Sequence, residues 1–239
     1  MTVATRRSRS CLAASMLLVA VLGGTAATGA SAQVAPSTAE LRAYDGWLRA
    51  AAEGDVPRLR KLIAAGAPLD ARDARGRTAL HVATHAGRRE AIRVLADAGA
   101  SLDALEADRY DAVTIAAVAD DVPTLALLLS LGAKPDQTTS RWDGTALIAA
   151  AHLGHDEVVR RLIGAGAPLD HVNNLHWTAA IEAVVLGDGG PRHQRTLAAL
   201  IGAGADLSLA DRQGRTPLRL AREHGHAAMV AMLETAGAR

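Results

Sequence analysis

Six glycines, each within an Ala-Gly-Ala or Leu-Gly-Ala tripeptide, recur at an almost constant spacing along this 239-residue chain. Their intervals are 33, 33, 34, 38 and 33 residues, and the glycines are Gly66, Gly99, Gly132, Gly166, Gly204 and Gly237. A second ladder has intervals of 33, 33, 34, 33 and 38 residues and runs through Asp45, Thr78, Asp111, Thr145, Thr178 and Thr216. Two ladders with one period predict a stack of equivalent units, each buried only against its neighbours.

Each period predicts two short helices. The Thr or Asp of the second ladder can cap the first helix, because its side-chain oxygen accepts a hydrogen bond from a free backbone N–H. A glycine then ends the first helix, and these glycines are Gly54, Gly87, Gly154, Gly187 and Gly225. A second helix follows with apolar residues at helical spacing, and the ladder glycine ends it in the left-handed conformation. Extended polar stretches such as LDARDARGR (69–77) connect the units.

This pattern resembles the ankyrin repeat family. The segments TALIAAAHLGHDEVVRRLIGAGAPLD (145–170), RTALHVATHAG (77–87) and RTPLRLAREHGH (215–226) carry the resemblance. It implies an all-α solenoid of about six helix-turn-helix units with hairpin-like loops along one edge. The expected units are 39–72, 73–105, 106–139, 140–172, 173–210 and 211–239.

Two units depart from the repeated pattern. In the third, Asp120-Asp121 replaces the usual Gly-His, and Asp tolerates the left-handed region better than most residues with a side chain. In the fifth, GDGGP (187–191) adds five residues between the two helices, and we expect a flexible insertion there. With 2% aromatic residues and no Phe, the core must consist mainly of Ala, Leu, Val and Ile in closely packed helices.

Residues 1–32 are typical of a cleaved secretory signal peptide. Three arginines precede an apolar run (11–24), and the small residues Ala30-Ser31-Ala32 predict cleavage after Ala32. An uncleaved membrane anchor and a twin-arginine signal remain alternatives. A linker (33–38) follows, and S-T-A-E predicts a capping box that starts the first helix at Ser37. The ankyrin repeat domain then spans 39–239, in the periplasm or outside the cell.

Charge and cysteine content narrow the possible partners. Three of the 26 basic residues and none of the 25 acidic residues lie in 1–32. The chain without residues 1–32 therefore has 23 basic and 25 acidic residues. Such a chain lacks the basic density that nucleic-acid binding requires, and we predict no nucleic-acid partner. The single cysteine, Cys11, leaves with the signal peptide, so no disulfide is expected. We expect a monomer that spans no membrane after cleavage.

The histidines raise the question of a metal or catalytic site. His152 and His155 lie on either side of Gly154, so they do not share a helix face as an H-x-x-H pair would. His81 and His85 have workable ligand spacing, but the resemblance implies that His81 ties loops together. We therefore predict no catalytic residue, no metal ligand and no cofactor. The alternative function is a small-ligand or metal-binding protein that uses His81, His85 and His152.

The leading hypothesis is an exported, noncatalytic module that binds another protein through its loop tips and concave helix face. Tyr110, Trp142 and Trp177 precede successive helix starts, and such aromatic residues are enriched at binding hot spots. Basic residues occupy equivalent positions, which favours an acidic or mixed-polarity partner. The predicted partner-binding residues are Arg75, Arg77, His85, Tyr110, Arg141, Trp142, His152, His176, Trp177, Arg212 and Arg215.

Overall fold

The computed structural model describes residues 34–239, and the predicted signal peptide (1–32) lies outside them. Within this range the chain forms 13 α-helices and one isolated antiparallel bridge between Thr139 and Gly144. A short helix, α1 (Thr38–Ala43), comes first. The other helices form six successive pairs: α2 (Gly46–Glu53) with α3 (Val56–Ala64), α4 (Ala79–His85) with α5 (Arg89–Asp97), α6 (Ala112–Val118) with α7 (Val122–Ser130), α8 (Ala146–His152) with α9 (Asp156–Gly164), α10 (Ala179–Val185) with α11 (Pro191–Gly202), and α12 (Pro217–Glu223) with α13 (Ala227–Thr235).

The pairs stack in two layers, as the repeated pattern predicts. Each first helix packs against the first helices of the neighbouring pairs, and each second helix packs against the neighbouring second helices. We call these the inner and outer helices, and we number the pairs as units 1 to 6. Alanine, leucine, valine and isoleucine make up nearly all of the buried apolar core, which confirms the prediction from composition.

Most of the predicted helix boundaries are confirmed. Four ladder residues accept the backbone N–H three positions ahead through their side chains: Asp111, Thr145, Thr178 and Thr216. All six ladder glycines have φ between 81° and 95°. Asp120 takes φ 55°, so the left-handed turn survives in the third unit without glycine. In the fifth unit Gly189 (φ 67°) adopts the left-handed conformation.

Helix α1 occupies the position in front of unit 1 where a hairpin precedes each later pair. The predicted capping box is present, because the Ser37 hydroxyl accepts from the Glu40 N–H and the Glu40 carboxylate accepts from the Ser37 N–H. Glu40 also pairs with the guanidinium of Arg77, and Asp73 accepts from the Tyr44 hydroxyl at 2.6 Å. The start of the described chain is therefore fastened to the hairpin that leads into unit 2.

The inserted residues of unit 5 do not form the expected loose loop. Pro191 and its successors add a turn to the start of α11, which has 12 residues where the other outer helices have nine. Just before this helix, Gly189 lies close to the ring of His226 in unit 6, and the Gly190 N–H donates to Asp188 Oδ1 at 2.8 Å. In residues 34–239 no helix combines the length and the apolar character needed to cross a bilayer.

Candidate protein-binding surface

The hairpins between units are held by a side chain at their first residue. Asp73 Oδ1 accepts from the backbone N–H groups of Arg75 and Arg77, at 2.8 and 2.9 Å. The same two-bond arrangement recurs at Glu106, Asn173 and Asp211. Sequence reasoning missed these anchors, although a polar residue five positions before each helix start was the available signal. Because such bonds fix the loop backbone, each hairpin presents its tip in one defined conformation.

Neighbouring hairpins are also joined to each other. The Asn174 N–H donates to the Trp142 carbonyl at 2.9 Å, and the Asn174 side-chain amide donates to the Arg141 carbonyl at 2.9 Å. His171 Nε2 lies 2.6 Å from the Asp143 carbonyl oxygen. The hairpins leading into units 4 and 5 (139–145 and 173–178) therefore form one continuous edge.

The three predicted aromatic residues differ in exposure. Trp142 is 43% exposed, and its hairpin is one residue longer than the others, closed by the bridge between Thr139 and Gly144. Trp177 is partly buried against the core. Tyr110 is also partly buried, and this burial raises the pKa of its hydroxyl. Trp142 is thus the one of the three that offers a large, solvent-exposed aromatic surface.

The predicted basic residues also separate into two groups. Arg77 is fully buried (0% exposed), bonded to Asp73, Glu40 and the Val34 carbonyl, so the prediction that it meets a partner is wrong. The physical reason is α1, whose Glu40 covers the guanidinium. Arg75, Arg141, His176 and Arg212 are exposed, and Arg215 is partly buried.

Several of the exposed charges are compensated nearby. Arg75 lies 3.5 Å from Glu40, and Arg141 lies 3.7 Å from Asp108. Arg215 pairs with Asp211 at 2.7 Å. Arg212 instead donates to a carbonyl, that of Asn174. The exposed arginines of the first two pairs, Arg75 and Arg141, gain little stability from them and remain available to a competing carboxylate.

The predicted histidines have distinct environments. His85 is partly buried, and burial lowers its pKa to about 4, so the ring is neutral at pH 7. His152 exposes nearly half of its side chain, and its Nδ1 lies 3.2 Å from Glu182 Oε2. The Glu182 carboxylate is buried at a position that Val82, Ile115 and Leu220 fill in other units.

His81, one of the three histidines of the metal-binding alternative, is already hydrogen-bonded through both ring nitrogens. Its Nδ1 lies 2.8 Å from the Thr78 hydroxyl, and its Nε2 lies 2.9 Å from the Ala104 carbonyl. Burial lowers its pKa to about 4, so the ring is neutral and fully engaged in joining two loops. Among residues 34–239, no group of three or more His, Cys, Asp or Glu side chains converges as a metal site. His81 is therefore not free to bind a metal.

His155 joins neighbouring units as well. Its Nδ1 lies 2.9 Å from the Ala117 carbonyl at the end of α6. Asp156, the first residue of α9, is nearly buried and is bonded to Arg160 and Arg195. The hydrogen bond from Arg195, followed by that from Arg160, lowers the pKa of the Asp156 carboxyl below its usual value. His155 and Asp156 thus connect unit 4 to units 3 and 5, respectively.

A family model of ankyrin repeats in three copies matches residues 47–139, 114–211 and 147–239, which together span most of the chain. The chain belongs to the ankyrin repeat family. YahD of Escherichia coli (strain K12), a protein named for ankyrin repeats, is 32% identical over 194 residues, covering 80% of this chain and 96% of that protein.

Solved structures of ankyrin repeat domains agree with this assignment. An ankyrin repeat domain from Acinetobacter baumannii AYE is 40% identical, with a TM-score of 0.76, covering 81% of this chain and 98% of its own. The ankyrin repeat domain of Bcl-3, described as a member of the IkappaB family, is 26% identical with a TM-score of 0.73, covering 82% and 87%. Ankyrin repeats are in general protein–protein interaction modules, and ankyrin repeat proteins are typically noncatalytic scaffolds.

Proposed function

We propose that this ankyrin repeat protein is an exported, noncatalytic module that binds an acidic or mixed-polarity protein partner. The binding surface is centred on the joined hairpins of units 4 and 5 and extends over the inner helices. The observation that carries the proposal is the exposed Trp142 at the tip of a hairpin whose backbone is fixed by Asn174. Arg75, His152 and His176 extend the same surface, and the protein acts as a monomer.

Trp142 has the properties of a binding hot spot. A tryptophan side chain buries a large area on binding and keeps a polar N–H for a hydrogen bond. Since the hairpin is already held in place, little conformational entropy is lost when a partner covers it. Trp177 contributes less new area, because much of it already packs against the core.

The charges around Trp142 support an acidic partner. Arg141 is next in the chain, and Arg212 and His176 belong to the two following hairpins. Arg141 and Arg212 are exposed and make only long or backbone contacts. A partner carboxylate can pair with a guanidinium through two parallel hydrogen bonds, which adds orientation as well as attraction.

Partner capture with single-residue variants tests the surface. Immobilised wild-type protein is expected to retain a partner from extracts of the producing organism, and Trp142→Ala is expected to lose at least about tenfold of that retention. Arg161→Ala is the control, because Arg161 is exposed but lies on the outer helix α9, away from the hairpins and the inner helices. Equal retention by Trp142→Ala and wild type would remove Trp142 from the surface.

Export rests on residues 1–32 and is tested separately. The intact mass of the protein recovered from the periplasm or medium is expected to match a chain that begins at Gln33, as cleavage after Ala32 predicts. Recovery of the chain only from the cytoplasm, with residues 1–32 attached, would contradict export while leaving the binding surface untouched.

A further inference from the structure

The inner helix of unit 5 carries a buried carboxylate at a position that is apolar in other units. Glu182 lies on α10, four residues after the ladder residue Thr178, and is 4% exposed. The corresponding residues of three other units are also buried, and they are Val82, Ile115 and Leu220. Burying a carboxylate costs free energy unless its oxygen atoms are hydrogen-bonded. Packing of the stack is met by an apolar side chain at this position, so the acid has another role.

Each oxygen of the Glu182 carboxylate faces one side-chain nitrogen. The Asn173 amide donates to Oε1 at 3.0 Å, and His152 Nδ1 lies 3.2 Å from Oε2. Within residues 34–239, no salt bridge joins Glu182 to a lysine or an arginine. The carboxylate therefore links the hairpin that leads into unit 5 to the inner helix of unit 4.

The orientation of the Asn173 side chain is fixed by the hairpin that it anchors. Its Oδ1 accepts from the backbone N–H groups of Leu175 and Trp177, at 2.9 and 3.0 Å, so its NH₂ group is turned towards Glu182. The equivalent anchors of other hairpins are acids that offer no N–H, and they are Asp73, Glu106 and Asp211. An amide thus anchors the hairpin of the unit whose inner helix carries the buried acid.

The contact with Glu182 also decides which nitrogen of His152 holds the ring proton. A carboxylate can only accept hydrogen bonds, so a neutral His152 ring must carry its N–H on Nδ1. Nε2 then has a lone pair, and it makes no hydrogen bond with another side chain or backbone group of residues 34–239. Nearly half of the side chain is exposed at the end of the inner helix α8. His152 therefore presents a hydrogen-bond acceptor, held in one orientation, beside the inner helices.

We propose that Glu182 is a positioning residue for partner binding, which sets the Nδ1–H form of His152 so that Nε2 accepts a hydrogen bond from an N–H or O–H group of the partner. This inference rests on the proposed function and adds the chemistry of one contact. The exposed Arg141 and Arg212 fit carboxylates, whereas His152 fits a donor. The partner surface is accordingly of mixed polarity rather than uniformly acidic.

Nitrogen NMR of the ¹⁵N-histidine-labelled protein, without any partner, tests the positioning. At pH 8.5, above the usual range of imidazole titration, wild-type His152 is expected to show the Nδ1–H form, and His152→Ala identifies its signals by removing them. Glu182→Gln is expected to move the proton to Nε2. The single oxygen of the new amide is used by Asn173, so its NH₂ group donates to Nδ1. Glu157→Gln, which removes the same charge from the outer helix α9, is expected to leave the ring unchanged.

The contact itself is tested by retention of the protein that the wild type captures from extracts of the producing organism. Glu182→Gln and His152→Ala are each expected to reduce retention about tenfold, because a buried donor of the partner loses its acceptor. Glu157→Gln is expected to retain as much as the wild type. Glu182→Leu is a second variant, should Glu182→Gln not fold, because Leu220 fills the same position in unit 6. It frees the ring to take the Nε2–H form, and the same loss of retention is expected.

Three results separate this inference from the proposed function. A wild-type His152 with its proton on Nε2, or a ring unchanged by both Glu182 variants, would overturn the inference alone. So would full retention by Glu182→Gln together with loss by Trp142→Ala. A wild-type protein that captures no partner would overturn the proposed function and the inference with it, whichever nitrogen holds the proton.

Discussion

At the scale of single residues, the informative positions are those where one unit differs from its counterparts. Asp111 stands at a helix start that Thr78, Thr145 and Thr178 occupy in other units. It is 1% exposed, and burial raises its pKa to about 6 despite the bond from the Thr114 N–H at 2.7 Å. The same ladder position thus carries a buried carboxylate that is ionised at neutral pH.

Asp111→Thr is expected to stabilise the protein at pH 7.5. The folded-state pKa (about 6) exceeds the unfolded value (3.8), so the folded form binds the proton more tightly. Stability from this group is fully present below about pH 4 and is lost as the pH rises through 6, at a cost of about 3 kcal/mol. Urea denaturation should show the variant about 1–3 kcal/mol more stable at pH 7.5, with the gain shrinking in acid.

The same substitution at an exposed cap provides the control. Asp55 accepts from the Arg58 N–H at 3.0 Å at the start of α3 and lies near the surface. Asp55→Thr is expected to be neutral or to lose up to about 1 kcal/mol, because threonine is a somewhat weaker cap. A destabilised Asp111→Thr protein at pH 7.5 would show that the cap bond outweighs the burial of charge.

At the scale of elements, the repeat period predicted where the helices lie, but not the hydrogen bonds between residues that are far apart in the sequence. Thr178 and the ladder glycines could be assigned from local pattern, because caps and left-handed turns depend on nearby residues. The burial of Arg77 could not be predicted in this way. It depends on Glu40, which lies 37 residues earlier in a helix outside the repeated pattern. The contact between Arg192, near the start of α11, and Asp120 could not be predicted either, because it depends on where α11 begins.

Two glycine substitutions in neighbouring elements are expected to have opposite effects. Gly154→Ala places a Cβ 2.9 Å from the His193 ring in a residue with φ 66°, and should lower the unfolding free energy by about 2 kcal/mol or more. Gly164→Ala, in α9 with no atom within 4 Å of its Cβ, should raise it by about 0.5 kcal/mol. Thermal and urea unfolding measure both, and equal effects would contradict the close packing of Gly154 against the His193 ring.

At the scale of the whole molecule, the stack commits its apolar residues to contacts between units and leaves hairpin tips and inner-helix ends for recognition. The sequence predicted the positions of the hairpins, and their role in binding a partner stays a prediction. It did not distinguish the exposed Trp142 from the partly buried Trp177, because exposure depends on the extra residue in one hairpin and on its bridge. Six of the predicted residues are exposed: Arg75, Arg141, Trp142, His152, His176 and Arg212.

The most direct measurement is a hydrogen-exchange footprint of the protein with and without its captured partner. Binding is expected to slow exchange in the hairpins 139–145 and 173–178, with the largest change around Trp142, and to leave the outer helices α7 and α9 unchanged. Protection confined to the outer helices, with these two hairpins exchanging as in the free protein, would contradict it.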